Sequence, residues 1–264
     1  MSDAILLSVT DGLARLTLNR PTRLNAFNGE LATAWRDATQ EVTSRDDVRA
    51  VLLDAAGPAF CAGGDVIDMA TTMGAGSQIT AFAEVINSGI RALVDSAVPV
   101  VVAAHGTTAG GGLGILLSGD YAVVGSRSKL GSLYANIGLT PDLSVSAQLA
   151  RAVGERRALQ LVLQDRLLDA TEAKEWGLVA EVVEGADAAD EAERVQARGE
   201  EIARFWIAGA AEAYGQAKRL IRSQPSRSFA EHLHEEARTI GASFDTAQAQ
   251  ARIAAFAAAS AKRG

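Results

Sequence analysis

The chain has 264 residues, 48% hydrophobic and 22% charged, with a formal net charge of −7 and one cysteine. That composition is ordinary for a globular protein with ample material for a core, and its acidity argues against broad contact with nucleic acid or anionic lipid. An anionic ligand must therefore meet a local cluster of cations. The lone Cys61 excludes an intramolecular disulfide framework and fits a reducing compartment. The start "MSDAILLSVTDG" lacks the basic region of a signal peptide. No apolar run approaches the roughly 20 residues of a spanning helix. A cytoplasmic protein with no membrane contact is expected.

In chain order, "ILLSVTDGLARLTLN" (5–19) predicts a hairpin turning at Asp11-Gly12. The loop "RPTRLNAFN" leads to an amphipathic helix over 29–44, with Leu31, Trp35, Ala38 and Val42 on one side. "VRAVLLDA" (48–55) is apolar enough for a strand covered on both faces. A helix over 81–96 and buried strands over 98–104 and 121–125 follow. This alternation predicts an α/β architecture with largely parallel pairing. Beyond about residue 145 the strand signals nearly stop, and helical composition runs to the C-terminus. The last helix is rich in alanine, and its small, flat apolar face suits packing on a neighbouring domain or subunit.

Two glycine clusters follow buried strands: "FCAGGDV" (60–66) and "HGTTAGGGLG" (105–114). Glycine permits tight turns, and it also lets a backbone N–H approach a ligand with no Cβ in the way. Gly110, Gly111 and Gly112 are expected to open a helix through about Leu117, whose first N–H groups lack internal partners. Two such N–H groups converging on one carbonyl would form an oxyanion hole. "GGGLG" is not a dinucleotide fingerprint, and there is no phosphate-loop motif. Cys61 reads as a small buried thiol. His105 stands alone, and His232 and His234 are two apart on a helix, so no metal site is implied. In "NIGLTPDL" (136–143), Asp142 after Pro141 reads most simply as a turn or cap residue.

Together these segments resemble the crotonase, or enoyl-CoA hydratase/isomerase, superfamily. "NRPTRLNAF", "FCAGGDV", "HGTTAGGGLG", "NIGLTPD" and "EAKEWGLVAEVV" are similar to its motifs in order and spacing, and "ARIAAFAAASAKR" to its last helix. The resemblance implies a spiral of ββα turns over residues 1–195 and a C-terminal helical trimerisation region over 196–264. It implies a homotrimer or a dimer of trimers, and an acyl-CoA thioester as substrate. No separate cofactor is implied, coenzyme A being part of the substrate. By position, the N–H groups of Gly64 and Gly111 would clasp the thioester oxygen. Arg23 and Lys262 would lie near the CoA phosphates, although an exposed loop arginine is also ordinary. Ala62, Asp65 and Tyr134 complete the implied substrate contacts. Asp65 and Asp68 read independently as a cap and a surface residue, unless the "VIDMATTMGAGSQ" segment folds over the pocket.

Hydratases of this family use two glutamates, which by position should fall at residues 114 and 134. This chain has Gly114 and Tyr134 there. Asp142 stands eight residues beyond the second, where isomerase branches carry a catalytic aspartate and the 4-chlorobenzoyl-CoA dehalogenase branch a nucleophilic one. One carboxylate suffices to shift a double bond, whereas hydration usually asks for two groups. The expectation is therefore an enoyl-CoA isomerase with Asp142 as proton shuttle. The alternatives are a hydratase using a non-standard acid, a hydrolase or dehalogenase with Asp142 as nucleophile, and a non-catalytic acyl-CoA binder.

Overall fold

The computed structural model describes residues 3–164 and 166–261; Lys262 lies outside the described residues. Strands β1 (Ile5–Thr10) and β2 (Leu13–Leu18) form the expected antiparallel hairpin, paired from Thr10↔Leu13 to Ile5↔Leu18. Helix α1 (Gly29–Ser44) is capped by Asn28, whose side chain accepts the Leu31 N–H. Its buried stripe includes Leu31, Trp35, Ala38 and Val42, as the spacing predicts. Strand β3 (Ala50–Ala55) lies parallel to β2 and is buried at every position. Helices α2 (Val66–Thr72) and α3 (Gly76–Asp95) follow. The second starts five residues before the predicted helix, because the Gln78 side chain accepts the N–H groups of Gly74 and Ala75.

The remaining core adds β4 (Val100–Ala104), β5 (Thr107–Ala109), α4 (Gly111–Leu117), β6 (Tyr121–Gly125) and β7 (Lys129–Gly131). Then come α5 (Val145–Val153), α6 (Glu155–Gln164), β8 (Leu167–Asp169), α7 (Ala170–Trp176) and β9 (Glu181–Val183). One sheet has the order β1-β2-β3-β4-β6-β9 and the other β5-β7-β8. All pairings of the first sheet beyond the hairpin are parallel.

Single-residue bridges explain the spiral. Phe27 pairs with Gly64 and Cys61 with Thr108, both parallel, and these extend the second layer beyond β5. Each turn of chain thus runs from a long strand in the first sheet, through a short extended piece in the second layer, into a helix. That is the ββα repeat. The short strands β5, β7, β8 and β9 hold three residues each and were not predicted, since three residues carry no period to read.

Helix α8 (Ala188–Ala208) covers the outer face of the first sheet, burying Val195, Ile202 and Ala203 against Leu52, Val101 and Ala103. The expected boundary at residue 195 falls inside this helix, so a division there would cut a continuous element. Helices α9 (Ala211–Ser223), α10 (Phe229–Phe244) and α11 (Ala247–Ala261) complete the chain. The buried Lys218 ties α9 to the core: its Nζ donates to the carbonyls of Leu93 (2.7 Å) and Val98 (2.6 Å) and pairs with Asp120 (3.1 Å). Helix α11 buries none of its residues, and Phe229, Ile240 and Phe256 on α10 and α11 are exposed.

Candidate active site

The two glycine clusters meet because the bridge at Cys61 binds them together. The Cys61 N–H donates to Thr107 O (3.1 Å) and the Ala109 N–H to Cys61 O (3.0 Å). The contact is close enough to require glycine. Gly63 has φ +105°, and a β-carbon there would lie 2.9 Å from Ala109 O and 3.2 Å from Gly111 N. On the other side, the Phe27 N–H donates to Gly63 O (2.7 Å) and the Asp65 N–H to Phe27 O (2.8 Å). Both neighbours of Gly64 are thereby turned towards Phe27, which leaves the Gly64 N–H on the opposite edge. The Gly111 N–H belongs to the first turn of α4, where no intrahelical acceptor exists. Neither N–H hydrogen-bonds to another described residue.

Gly64 and Gly111 line a cavity of about 400 Å³. Phe27, Val66, Met69, Phe82 and Ile86 make much of its wall apolar, and Tyr134, Thr140 and Asp142 supply polar groups. Behind the wall lies Cys61, fully buried, its thiol pushed up to about 12 by burial. It is a packing group and no nucleophile at neutral pH.

The Tyr134 hydroxyl donates to Asp142 Oδ1 at 2.6 Å. The Asp142 side chain opens to solvent through the cavity mouth, yet surrounding protein still withholds enough water to raise its carboxyl above the usual range. The Tyr134 hydrogen bond opposes that rise without cancelling it. The phenol itself is driven far above its ordinary value, first by burial and then by the charge and hydrogen bond of Asp142, so it remains a proton donor. Asp142 is not merely a helix cap, because its side chain faces Tyr134 rather than the N–H groups of α5. The chain beyond it takes a left-handed course at two non-glycine residues, Leu143 (φ +47°) and Ser144 (φ +68°). Such conformations cost about 1–3 kcal/mol each and persist only where their surroundings impose them. Here the Val145 N–H donates to Asp142 O (2.9 Å) and the Gln148 N–H to Ser144 O (2.8 Å).

Of the residues expected from sequence, Ala62, Gly64, Gly111, Tyr134 and Asp142 line this one cavity. Arg23 and Asp65 do not line it, and Asp65 takes the cap role also read for it in place of a substrate contact. Asp65 is 5% exposed and caps α2 through the Asp68 N–H (3.2 Å). Arg23 Nη2 reaches its Oδ1 at 2.8 Å, and Arg20 Nη2 its Oδ2 at 3.3 Å. The Arg23 guanidinium holds the Asp65 carboxyl below the usual carboxylate range. Asp65 is thus spent on the fold, while the Arg23 guanidinium, paired with it, stays 41% exposed. The segment after Asp65 does fold over the pocket, through Val66 and Met69 of α2. Sequence reading missed Thr80 and Glu84, which reach the cavity from α3; no motif marks a residue on a regular amphipathic helix. Among the described residues no group of three or more His, Cys, Asp or Glu is placed to hold a metal. The buried His105 sets its Nε2 2.7 Å from Gly57 O. No helix among the described residues is long and apolar enough to cross a membrane.

Known proteins resemble this chain in sequence and fold. The family model described as enoyl-CoA hydratase/isomerase matches residues 8–261. The 1,2-epoxyphenylacetyl-CoA isomerase of Escherichia coli (strain K12) is 34% identical over 74% of this chain and 75% of its own length. The 4-chlorobenzoyl coenzyme A dehalogenase-1 of an Arthrobacter species is 33% identical over 94% of this chain and 88% of its own. The crystal structure of an enoyl-CoA hydratase from Mycobacterium smegmatis superposes with a TM-score of 0.85 at 25% identity, covering 96% of this chain and 95% of that one. The family match spans nearly the whole chain and the fold is that of its solved relatives, so the chain belongs to the enoyl-CoA hydratase/isomerase family.

Proposed function

We propose that the protein is an enoyl-CoA isomerase that moves a C=C bond from the 3,4 to the 2,3 position of an acyl-CoA thioester. The observation that carries this reading is Asp142, held by Tyr134 in a cavity whose wall also presents the unpartnered N–H groups of Gly64 and Gly111. The thioester oxygen is bound between those N–H groups. The Asp142 carboxylate removes a proton from C2, and the electron pair moves towards the oxygen to give a dienolate. Each N–H strengthens its hydrogen bond as charge develops there, a term of about 3–4 kcal/mol per donor in known cases. Carboxylic Asp142 then returns the proton at C4, and the C2–C3 double bond forms. A carboxyl raised by burial suits a group that must both take and give a proton.

Hydration would need a second group to activate or protonate. Positions 114 and 134 supply no carboxylate, and Glu84 is the other acid on the cavity wall among the described residues. Glu84 is exposed, which favours a place at the mouth over a role beside the thioester. The mostly apolar wall fits a hydrocarbon acyl group. A second reading, in which Asp142 attacks carbon and forms a covalent ester, draws support from the dehalogenase relative. The exposed apolar side chains of α10 and α11 support a homotrimer or dimer of trimers, and the single buried Cys61 supports a cytoplasmic setting.

A panel of 3-enoyl, 2-enoyl and aromatic CoA thioesters, followed by absorbance and intact mass, tests the proposal. The expected result is turnover of 3-enoyl esters with no mass adduct and little hydration of 2-enoyl esters. A trapped covalent ester would favour the nucleophile. Fast hydration would overturn isomerisation as the main activity and make Glu84 the first acid to examine. Binding across the panel without turnover would mark a non-catalytic binder.

A further inference from the structure

Gly114 lies inside α4, three residues past the N–H assigned to the oxyanion hole, and all seven residues of that helix are buried. A β-carbon at Gly114 would overlap the carbonyl oxygen of Leu143 and come within 3.0 Å of the Leu143 carbonyl carbon and Cβ. A β-carbon at Gly111 would meet Leu143 Cδ1 at 2.7 Å. Leu143 is therefore wedged against α4 at two points: its side chain over Gly111 and its backbone on Gly114. It is 5% exposed, left-handed, and covalently next to Asp142.

We infer that Gly114 is a positioning residue for Asp142: its missing side chain is the seat in which the Leu143 carbonyl rests, and that seat sets where the carboxylate meets Tyr134 and the cavity. The inference rests on the reading of Asp142 as the proton carrier. The left-handed pair Leu143–Ser144 is the conformation that turns the 143 carbonyl into the seat while the Asp142 side chain stays on the cavity side. Any side chain at 114, a carboxylate included, displaces the turn. Residue 114 therefore cannot carry an acid while Asp142 holds its present place, and the chain has one carboxylate or the other at this site. A displacement of about 1 Å between base and substrate carbon costs on the order of 10²-fold in rate.

The test uses Gly114→Ala, Asp142→Asn and the double variant, each as the purified full chain in its native assembly. Three readouts are taken: kcat and KM on the best thioester of the panel, the melting temperature, and the Tyr134 ¹³Cζ resonance. That resonance is assigned with Tyr134→Phe, and it senses the Tyr134–Asp142 hydrogen bond without any turnover. Gly114→Ala is expected to lower kcat about 10²-fold, change KM less than about threefold, and move the Tyr134 resonance, because the Tyr134–Asp142 hydrogen bond is displaced. In the Asp142→Asn background it should cost nothing further, because the proton carrier is already lost there. Wild-type kcat with an unmoved resonance would overturn the inference, and so would losses that multiply in the double variant. Should Asp142→Asn retain full activity, the proton-carrier reading fails, while the resonance still decides whether Gly114 sets the position of Asp142. If Gly114→Ala does not fold, Leu143→Ala takes its place, since it loosens the wedge by removing atoms. An altered Tyr134 resonance and a kcat loss absent from the Asp142→Asn background support the seat; an unchanged resonance overturns it.

Discussion

The two walls of the cavity are built by different means. On one side, Gly64 is bridged to Phe27 and Gly111 opens α4 directly after the strand bridged to Cys61, so the second layer holds both donors. On the other, Asp142 is a side chain on a turn outside both sheets, held by one phenol and by two residues in a left-handed conformation. The first wall needs only glycine and hydrogen-bonded backbone, and under the proposed function it would offer the same service to any thioester. The second wall carries the acid, and a turn can be altered there without disturbing a sheet. On the proposed function, the general task of holding an oxyanion sits in the rigid part, and the reaction-specific group in the replaceable part.

The sharpest way to break this comparison is to remove the acid alone. Asp142→Asn keeps the turn and can still accept from Tyr134, yet cannot take a proton. Turnover should fall by roughly 10²–10⁴-fold with the melting temperature and thioester affinity nearly unchanged. Full activity with a lower melting temperature would return Asp142 to a structural role. On the opposite wall, Gly111→Pro deletes the donor at a position where the first turn of a helix tolerates proline. Since a β-carbon at 111 also presses on Leu143, the control is Gly111→Ala, which adds the carbon and keeps the N–H. The proline variant should lose about 10²–10³-fold in kcat/KM beyond the alanine variant, as measured by initial rates on folded protein. Equal rates for the two would take this N–H out of the mechanism.

A smaller effect separates the acid from its support. The Tyr134 hydrogen bond opposes the rise of the Asp142 carboxyl, so Tyr134→Phe should let that carboxyl rise further. Because the ionised form is the base, activity is lost as pH falls through this value, and the acid limb of kcat/KM should move to higher pH. At alkaline pH the loss should be no more than about tenfold. An acid limb that stays in place or moves down would show that Tyr134 does not tune Asp142.

Much of the fold is legible in the residues. Asp11-Gly12 marks the hairpin, the spacing of Leu31, Trp35, Ala38 and Val42 marks α1, and unbroken apolar runs mark the parallel strands. The second layer is not legible, because bridges at Phe27 and Cys61 are single residues chosen by tertiary pairing. In the site, Gly64, Gly111, Tyr134 and Asp142 can be read because short motifs carry them. The Arg23–Asp65 ion pair is not legible because it spans 42 residues, and each partner looks free until the chain folds. Glu84 escaped because nothing local separates a cavity-facing glutamate from one facing water.

Helix α2 forms part of the cavity wall, yet none of its residues is buried. Its firmest tie to the core is Asp65, clasped by Arg20 and Arg23. A segment with so little apolar anchoring opens at low free energy, so amide protons of α2 should exchange by local opening well before those of β3 or β4. The Asp65 carboxyl is held below its usual range, so the clasp contributes at neutral pH and is lost only as pH falls through that depressed value. The cavity therefore has a wall whose breathing is governed by an electrostatic latch, and that wall can move without melting any strand of the spiral.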